Sequence, residues 1–150
     1  MMADQRDFRI IHQHWRDLPF EDFFDSDIAV VLSDESEDVS QPTVVMLAIE
    51  FKPGFFVASH QHSTGHIEVV LEGALTVGGR EECPGDVRVV PAFTSYGPLQ
   101  VGPEGCKCLE IFPTREGVIP IVDDPGQMAT RFGHDDALRA RLGEILRVAL

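Results

Sequence analysis

Short apolar runs alternate with turn-forming residues along most of the chain, and this pattern predicts a protein built mainly from β-strands. Clusters of Gly, Pro and Asp separate runs rich in Val, Ile, Leu and Phe, as in all-β sandwiches and barrels. Gly78 and Gly79 lie between two such runs and favour a tight hairpin, because both central residues of that turn adopt positive φ. The predicted strands lie near Ile28–Leu32, Thr43–Phe51, Phe55–His60, His66–Leu71, Ala74–Val77, Val87–Val90, Lys107–Phe112 and Val118–Val122.

The pattern changes near the C-terminus, where apolar residues recur every three or four positions. This spacing predicts one amphipathic helix, and Asp135 or Asp136 could cap its start. We expect the helix to pack on the outside of the barrel or against a partner subunit. The residues predicted to share its apolar face are Leu138, Leu142, Ile145 and Leu146.

Length and charge narrow the possible classes of protein. The 150 residues predict a single domain with an N-terminal arm (1–27), a barrel core (28–122) and a C-terminal helical tail (135–150). Apolar runs are too short to span a bilayer, and the N-terminus has no secretory signal pattern, so we expect a cytoplasmic protein. The net charge of −13 disfavours nucleic acid and anionic membranes as partners.

The cysteines do not predict a disulfide framework. There are three, Cys83, Cys106 and Cys108, an odd number without a secretory signal. Cys106 and Cys108 share one face of a predicted strand. Two small buried side chains are the favoured interpretation, with a soft-metal or redox role as the alternative.

Three of the six histidines, His60, His62 and His66, fall within seven positions. In an extended segment His60 and His62 point the same way, and a turn through Ser63–Gly65 allows His66 to meet them from the next strand. Three neutral imidazoles form a suitable site for one divalent transition metal such as Fe, Zn, Ni or Mn. The alternative is a solvated loop, which the apolar residues on both sides of the cluster disfavour.

A second histidine pair, His12 and His14, has a different context. It lies near Trp15 and Arg16, and no strand follows after a short turn. We therefore predict that these two histidines lie on the surface.

The stretch from Gly54 to Gly73 resembles the first sequence motif of the cupin superfamily. Gly54 is followed by His60 and His62, then by His66 at a position that is usually Glu or Gln, and by Gly73. Pro84-Gly85-Asp86 and Pro91 resemble the second motif. The resemblance implies a double-stranded β-helix, a jelly-roll barrel, that binds a metal through His60, His62 and His66.

The second cupin motif usually supplies a histidine ligand where this chain has Tyr96. Its phenol could contact substrate or support the ligands, bind the metal directly, or be purely structural. Glu68 follows His66 by two residues and shares its inward face if the strand is regular. It could act as a ligand, a base or a support for the ligands, and the alternative is a solvated side chain. Glu110 alternates with Leu109 and Ile111, and we expect it to be exposed.

Cupins include dioxygenases, isomerases, lyases and decarboxylases, as well as ligand-sensing domains, and the fold does not choose among them. Our leading hypothesis is a metal-dependent enzyme that binds a small organic molecule at open metal positions, with Tyr96 and Glu68 as the candidate catalytic residues. A non-catalytic ligand- or metal-sensing domain is the alternative. Because small cupins commonly pair, and because the C-terminal helix and the aromatic N-terminal arm need a covering surface, we also predict a homodimer.

Overall fold

The computed structural model describes residues 10–24, 26–34, 37–124 and 135–147, and its regular structure is almost entirely antiparallel β. The strands are β1 (Glu21–Phe23), β2 (Ser26–Leu32), β3 (Val45–Phe51), β4 (Phe56–Val57), β5 (His60–Gln61), β6 (His66–Val77), β7 (Arg80–Glu82), β8 (Val87–Val90), β9 (Leu99–Phe112) and β10 (Ile121–Val122). The helices are a 3-10 turn (Trp15–Asp17), α1 (Arg115–Val118) and α2 (Asp135–Leu146).

One curved sheet carries most of the strands. Its order is β1-β2-β3-β9-β6-β7, with β4 added to β9 and β8 added to β6, while β5 and β10 form a separate pair. The long strands β6 and β9 pair along their whole length with register shifts on either side of Gly73. A side chain at Gly73 would meet the carbonyl oxygen of Gly105, because a Cβ there would lie 2.0 Å from it. The prediction of an all-β jelly-roll barrel with a C-terminal helix is confirmed.

Several predicted strand bounds were wrong. His66–Leu71 and Ala74–Val77 are one strand, β6, and the predicted Lys107–Phe112 strand begins earlier, at Leu99 in β9. The predicted Phe55–His60 strand is divided between β4 and β5, which pair with different partners. The segment predicted as Val118–Val122 instead contains the end of α1 and the short β10, because Thr114 caps a helical turn by accepting a hydrogen bond from the Gly117 N–H.

The predicted hairpin at Gly78 and Gly79 is confirmed. Val77 and Arg80 are paired across it, and both glycines have positive φ, 56° and 85°. The prediction for Cys106 and Cys108 as small buried side chains is also confirmed, since both lie in the core with their sulfur atoms 3.4 Å apart.

The C-terminal helix packs against the barrel of its own chain. Its predicted apolar residues, Leu138, Leu142, Ile145 and Leu146, are all buried in the main core. Arg115 donates a hydrogen bond to the Leu146 carbonyl, and Arg141 donates to the Asp22 carbonyl, so the helix is also fixed by polar contacts. The helix therefore does not need a partner subunit to cover it, and this part of the argument for a dimer was wrong. The predicted caps, Asp135 and Asp136, are the first two helical residues, and their side chains lie outside the described residues.

The first described part of the N-terminal arm packs on one face of the sheet, whereas β1 and the start of β2, which also fall within 1–27, are strands of the sheet itself. Leu18 is buried there against Ala29 and Ala48, with Trp15 and Phe20 packed beside it. His12 and His14 are exposed, as predicted. Among the described residues, the longest helix is the 12-residue α2, and none of these helices could span a bilayer.

Candidate metal and ligand site

The three clustered histidines meet inside the barrel. His60, His62 and His66 are 4–6% exposed, and the ring centroids lie 5.1 Å apart for His60 and His62 and 4.8 Å apart for His62 and His66. β5 presents the first, the loop after it presents the second, and β6 begins with the third. The sequence spacing had predicted this convergence, and the structure brings all three together.

Backbone carbonyls orient two of the rings. The Nδ1 atom of His60 lies 2.8 Å from the Ala58 oxygen, and the Nδ1 atom of His62 lies 2.8 Å from the Gly117 oxygen. A carbonyl only accepts, so each Nδ1 carries the proton and each Nε2 has a free lone pair. Gly117 belongs to the helical turn α1. A Cβ there would lie 2.1 Å from the Thr64 hydroxyl oxygen, so the close approach of α1 to the loop that carries His62 requires glycine at this position.

Burial keeps the imidazoles neutral. It lowers the pKa of His60, and it lowers the pKa of His62 to about 3, with the neighbouring His60 and His66 contributing. Burial also lowers the pKa of His66 to about 4. Neutral imidazole is the form that binds metal ions. The ring of His66 stacks on Phe112 at 4.6 Å, and its buried Nδ1 has no hydrogen-bond partner among the described residues.

Tyr96 reaches the centre of the cluster. Two backbone hydrogen bonds pair it with His60, and its hydroxyl oxygen lies 3.2 Å from the Nε2 atoms of both His62 and His66. Burial, followed by Glu110 and Glu68, raises the pKa of this phenol, so it remains a proton donor at neutral pH. Because the His62 Nε2 is unprotonated, the hydroxyl can donate to it.

The three histidines offer neutral nitrogen donors of the kind that transition metals bind. Their nitrogens are not, however, arranged closely around one point as the ligands of a bound ion would be. Metal–imidazole bonds are about 2.1 Å long, and the Tyr96 hydroxyl occupies the space between two of the donor nitrogens at hydrogen-bond distance. Among the described residues, no group of three or more His, Cys, Asp or Glu has the spacing of an assembled metal site. The observations that fit an ion are the neutral rings and the carbonyl-fixed Nδ1 atoms, an arrangement typical of metal-ligating histidines.

A row of charged side chains lies beside the histidines. Arg88, Glu68 and Glu110 occupy paired positions on β8, β6 and β9. Arg88 donates a hydrogen bond from Nη2 to Glu68 and another from Nη1 to Glu82, the latter 2.7 Å long. The guanidinium also lies 5.2 Å from the centre of the Tyr96 ring. Glu68 is 2% exposed and points inward as predicted.

The expectation that Glu110 is exposed was wrong. Its side chain lines the interior cavity and contacts Glu68. Burial, with the adjacent Glu68 carboxylate, raises the pKa of Glu110 well above its ordinary value, which favours the protonated form that can donate a hydrogen bond to Glu68. Glu110 faces Glu68 because two strands far apart in the chain pair there, and the local alternation of Leu109, Glu110 and Ile111 carries no signal of that pairing.

An apolar chamber of about 90 Å³, open on one side, adjoins the histidines. Its polar wall consists of His60, His62, Tyr96 and Glu110. Among the described lining residues there is no Lys or Arg. The rest of the wall is mostly apolar and includes Leu47, Ile49, Phe51, Phe55, Leu138 and Leu142.

Comparison with solved structures identifies the architecture. A polyketide cyclase, RemF from Streptomyces resistomycificus, matches with a TM-score of 0.62 and 21% identity over 77% of this chain and 87% of its own. An RmlC-like cupin from Shewanella frigidimarina matches with a TM-score of 0.57 and 20% identity over 75% of this chain and 96% of its own. The chain has the cupin fold. The predicted resemblance to cupins is thus confirmed at the level of the fold.

The cupin fold is shared with proteins of different kinds. The structure of Rhodobacter sphaeroides SigE in complex with the anti-sigma ChrR matches with a TM-score of 0.53 and 16% identity over 66% of this chain. The match spans about half, 51%, of that chain. No family model and no curated protein matches the sequence.

Proposed function

We propose that this cupin is a metal-dependent enzyme acting on a small organic molecule. The observation that supports this most strongly is the convergence of three neutral histidines and the Tyr96 phenol at the head of an apolar chamber. His60, His62 and His66 would hold one divalent ion, Fe, Zn, Ni or Mn. When bound, such an ion would supply Lewis acidity, or oxygen activation in the case of iron.

The chain's own residues would bind and orient the substrate. The apolar wall would exclude water from the substrate body, which strengthens electrostatic interactions at the polar end. Tyr96 would donate a hydrogen bond to a substrate oxygen, since its raised pKa keeps the proton on the phenol. Glu68, fixed by Arg88, would accept a proton, and Glu110 would relay it by means of its hydrogen bond to Glu68. Reaction types consistent with this arrangement are dioxygenation, isomerisation and lyase chemistry.

Tyr96→Phe tests the role of the phenol. We expect the variant to retain its metal, because three histidines remain, and to lose about 10²–10³-fold in turnover, the usual cost of one such donor. Turnover would be measured by mass spectrometry on a panel of small apolar oxygen compounds incubated with metal-loaded protein. His62→Ala serves as the inactive reference.

Two results would contradict the proposal that the histidines bind the metal and Tyr96 contacts the substrate. Loss of metal from Tyr96→Phe would make the phenol a ligand. Unchanged metal and unchanged turnover would make it structural, and the chemistry would then be assigned to Glu68.

A non-catalytic ligand-sensing domain is the second candidate function. It is supported by the shared fold with a chain from the complex of SigE with the anti-sigma ChrR. Binding of panel compounds by the metal-loaded wild type without any conversion would favour this candidate over the enzyme.

We also propose that the chain forms a homodimer in the cytoplasm. The supporting surface is the outer face of β8, β6 and β9, where Val89 pairs with Ile67 and Ile67 pairs with Ile111. Val89 is 70% exposed and Val87 is 60% exposed. A contiguous exposed apolar surface is typical of an interface, and two copies could bury it symmetrically.

Val89→Glu tests this dimer. A buried charge at the centre of a symmetric interface is placed opposite its own copy, so we expect the variant to be monomeric in light scattering at about 10⁻⁵ M. Ile121→Glu, at an exposed apolar position on β10, should leave the dimer mass unchanged. A monomeric wild type, or equal effects of the two substitutions, would contradict the proposed interface.

A further inference from the structure

The residues that line the chamber restrict which ligands can bind there more narrowly than the histidines alone do. Its polar groups, His60, His62, Tyr96 and Glu110, come from the barrel strands and the segments that join them. The walls formed by α2 and by β3 are apolar. A ligand that fills the chamber therefore meets hydrogen-bonding groups from the histidine side and only carbon elsewhere.

The charged side chains near the wall pair with one another and not with the chamber. Arg88, whose guanidinium lies 5.2 Å from the centre of the Tyr96 ring, is engaged by both Glu68 and Glu82. The other carboxyl, Glu110, is turned toward Glu68. The apolar part of the chamber thus offers no partner for a charged group or for several hydroxyls, and each buried polar group without a partner weakens binding.

The size of the chamber sets an upper limit. Its volume of about 90 Å³ is smaller than the ~150 Å³ cavity that accommodates benzene in an engineered protein. An apolar body about the size of a single ring would therefore fill it, and a larger body would have to extend beyond it or displace wall residues. Leu138 and Leu142 of α2 form part of this wall, and α2 is held by Arg115 and Arg141.

We propose that the chamber binds an apolar molecule the size of one substituted ring, with a single oxygen function directed at Tyr96 and the histidines, and that Leu142 limits its size. This inference rests on the proposed use of the chamber as the ligand site and names the class of its ligand. Monocyclic phenols and cyclic ketones belong to this class. Sugars and other polyhydroxylated rings do not.

Three probes test the inference by ligand-observed NMR: 4-methylphenol, the polyhydroxylated ring xylose, and the bicyclic 2-naphthol. We expect 4-methylphenol to bind at least about tenfold more tightly than xylose, because each hydroxyl buried without a hydrogen-bond partner weakens binding. Wild-type protein should also prefer 4-methylphenol to 2-naphthol.

Leu142→Ala should shift that second preference toward 2-naphthol by about tenfold, the usual effect of a small change in an apolar pocket. Ile145→Ala is the matched control, since Ile145 is buried in the same helix but does not line the chamber. It should leave the ratio of the two affinities unchanged. Xylose binding as tightly as 4-methylphenol, no binding of 4-methylphenol, or equal shifts in the two variants would overturn the inference.

Measuring both metal-loaded and chelator-treated protein separates this inference from the proposed function. The apolar preference is a property of the wall and should persist without metal. Intact probe selectivity in a protein that never binds metal would overturn the enzyme proposal alone. Lost selectivity in a protein with full metal content would overturn the ligand class alone.

Discussion

Replacing Arg88 by methionine is expected to destabilise the fold by about 3–5 kcal/mol, the usual cost of removing one partner from a buried ion pair. The guanidinium contacts two carboxylates, Glu68 and Glu82, whose side chains are 1% and 9% exposed. Methionine preserves much of the volume but leaves both carboxylates inside the barrel without their cation. The free energy of unfolding from urea titrations followed by circular dichroism would measure the effect.

The control is Arg80→Met, which removes an exposed arginine at the β6–β7 hairpin. A surface substitution of this kind should change stability by no more than about 0.5 kcal/mol. Adding Glu68→Gln to Arg88→Met should recover part of the loss, because it removes one of the uncompensated charges. An Arg88→Met variant as stable as the wild type would show that the carboxylates do not depend on this cation.

Arg88 and Glu110 also show where sequence reasoning about the barrel reached its limit. In Val87-Arg88-Val89 and Leu109-Glu110-Ile111 the apolar neighbours suggest that the charged residue faces water. The structure has the opposite arrangement, with Val87 and Val89 exposed and the Arg88 side chain, 14% exposed, turned toward Glu68. The interior of this part of the barrel is polar because it holds the site, while the outer face is apolar.

Local spacing was a better guide to the histidines. His60 and His62 share a direction because they are two residues apart in extended chain, and the turn before His66 is short. The role of Gly117 in orienting His62 and the position of α2 against the chamber depend on contacts between residues far apart in the chain. Neither leaves a periodic signal in the sequence, so neither was predicted.

His60→Ala and His62→Ala are each expected to abolish stoichiometric metal binding while preserving the β-rich circular dichroism spectrum. Each substitution removes one of three imidazoles, and the two remaining donors cannot hold a divalent ion as tightly. The barrel would remain because its apolar core lies elsewhere on the strands. His66→Ala should weaken binding less if Glu68, two residues further along β6, can take its place.

His12→Ala is the matched control for the loss of an imidazole, since His12 belongs to the exposed second pair. It should bind metal as the wild type does. Equal metal loss in His12→Ala and His60→Ala would indicate a non-specific effect of removing any histidine.

Elemental analysis of the protein purified without added metal, and again after titration with Fe, Zn, Ni and Mn, tests the central claim most directly. The account predicts about one transition-metal ion per chain in the wild type and in His12→Ala, and less than about one tenth of an ion in His60→Ala and His62→Ala. A wild type that holds less than about one tenth of an ion even after titration, or a His60→Ala variant with full occupancy, would contradict it.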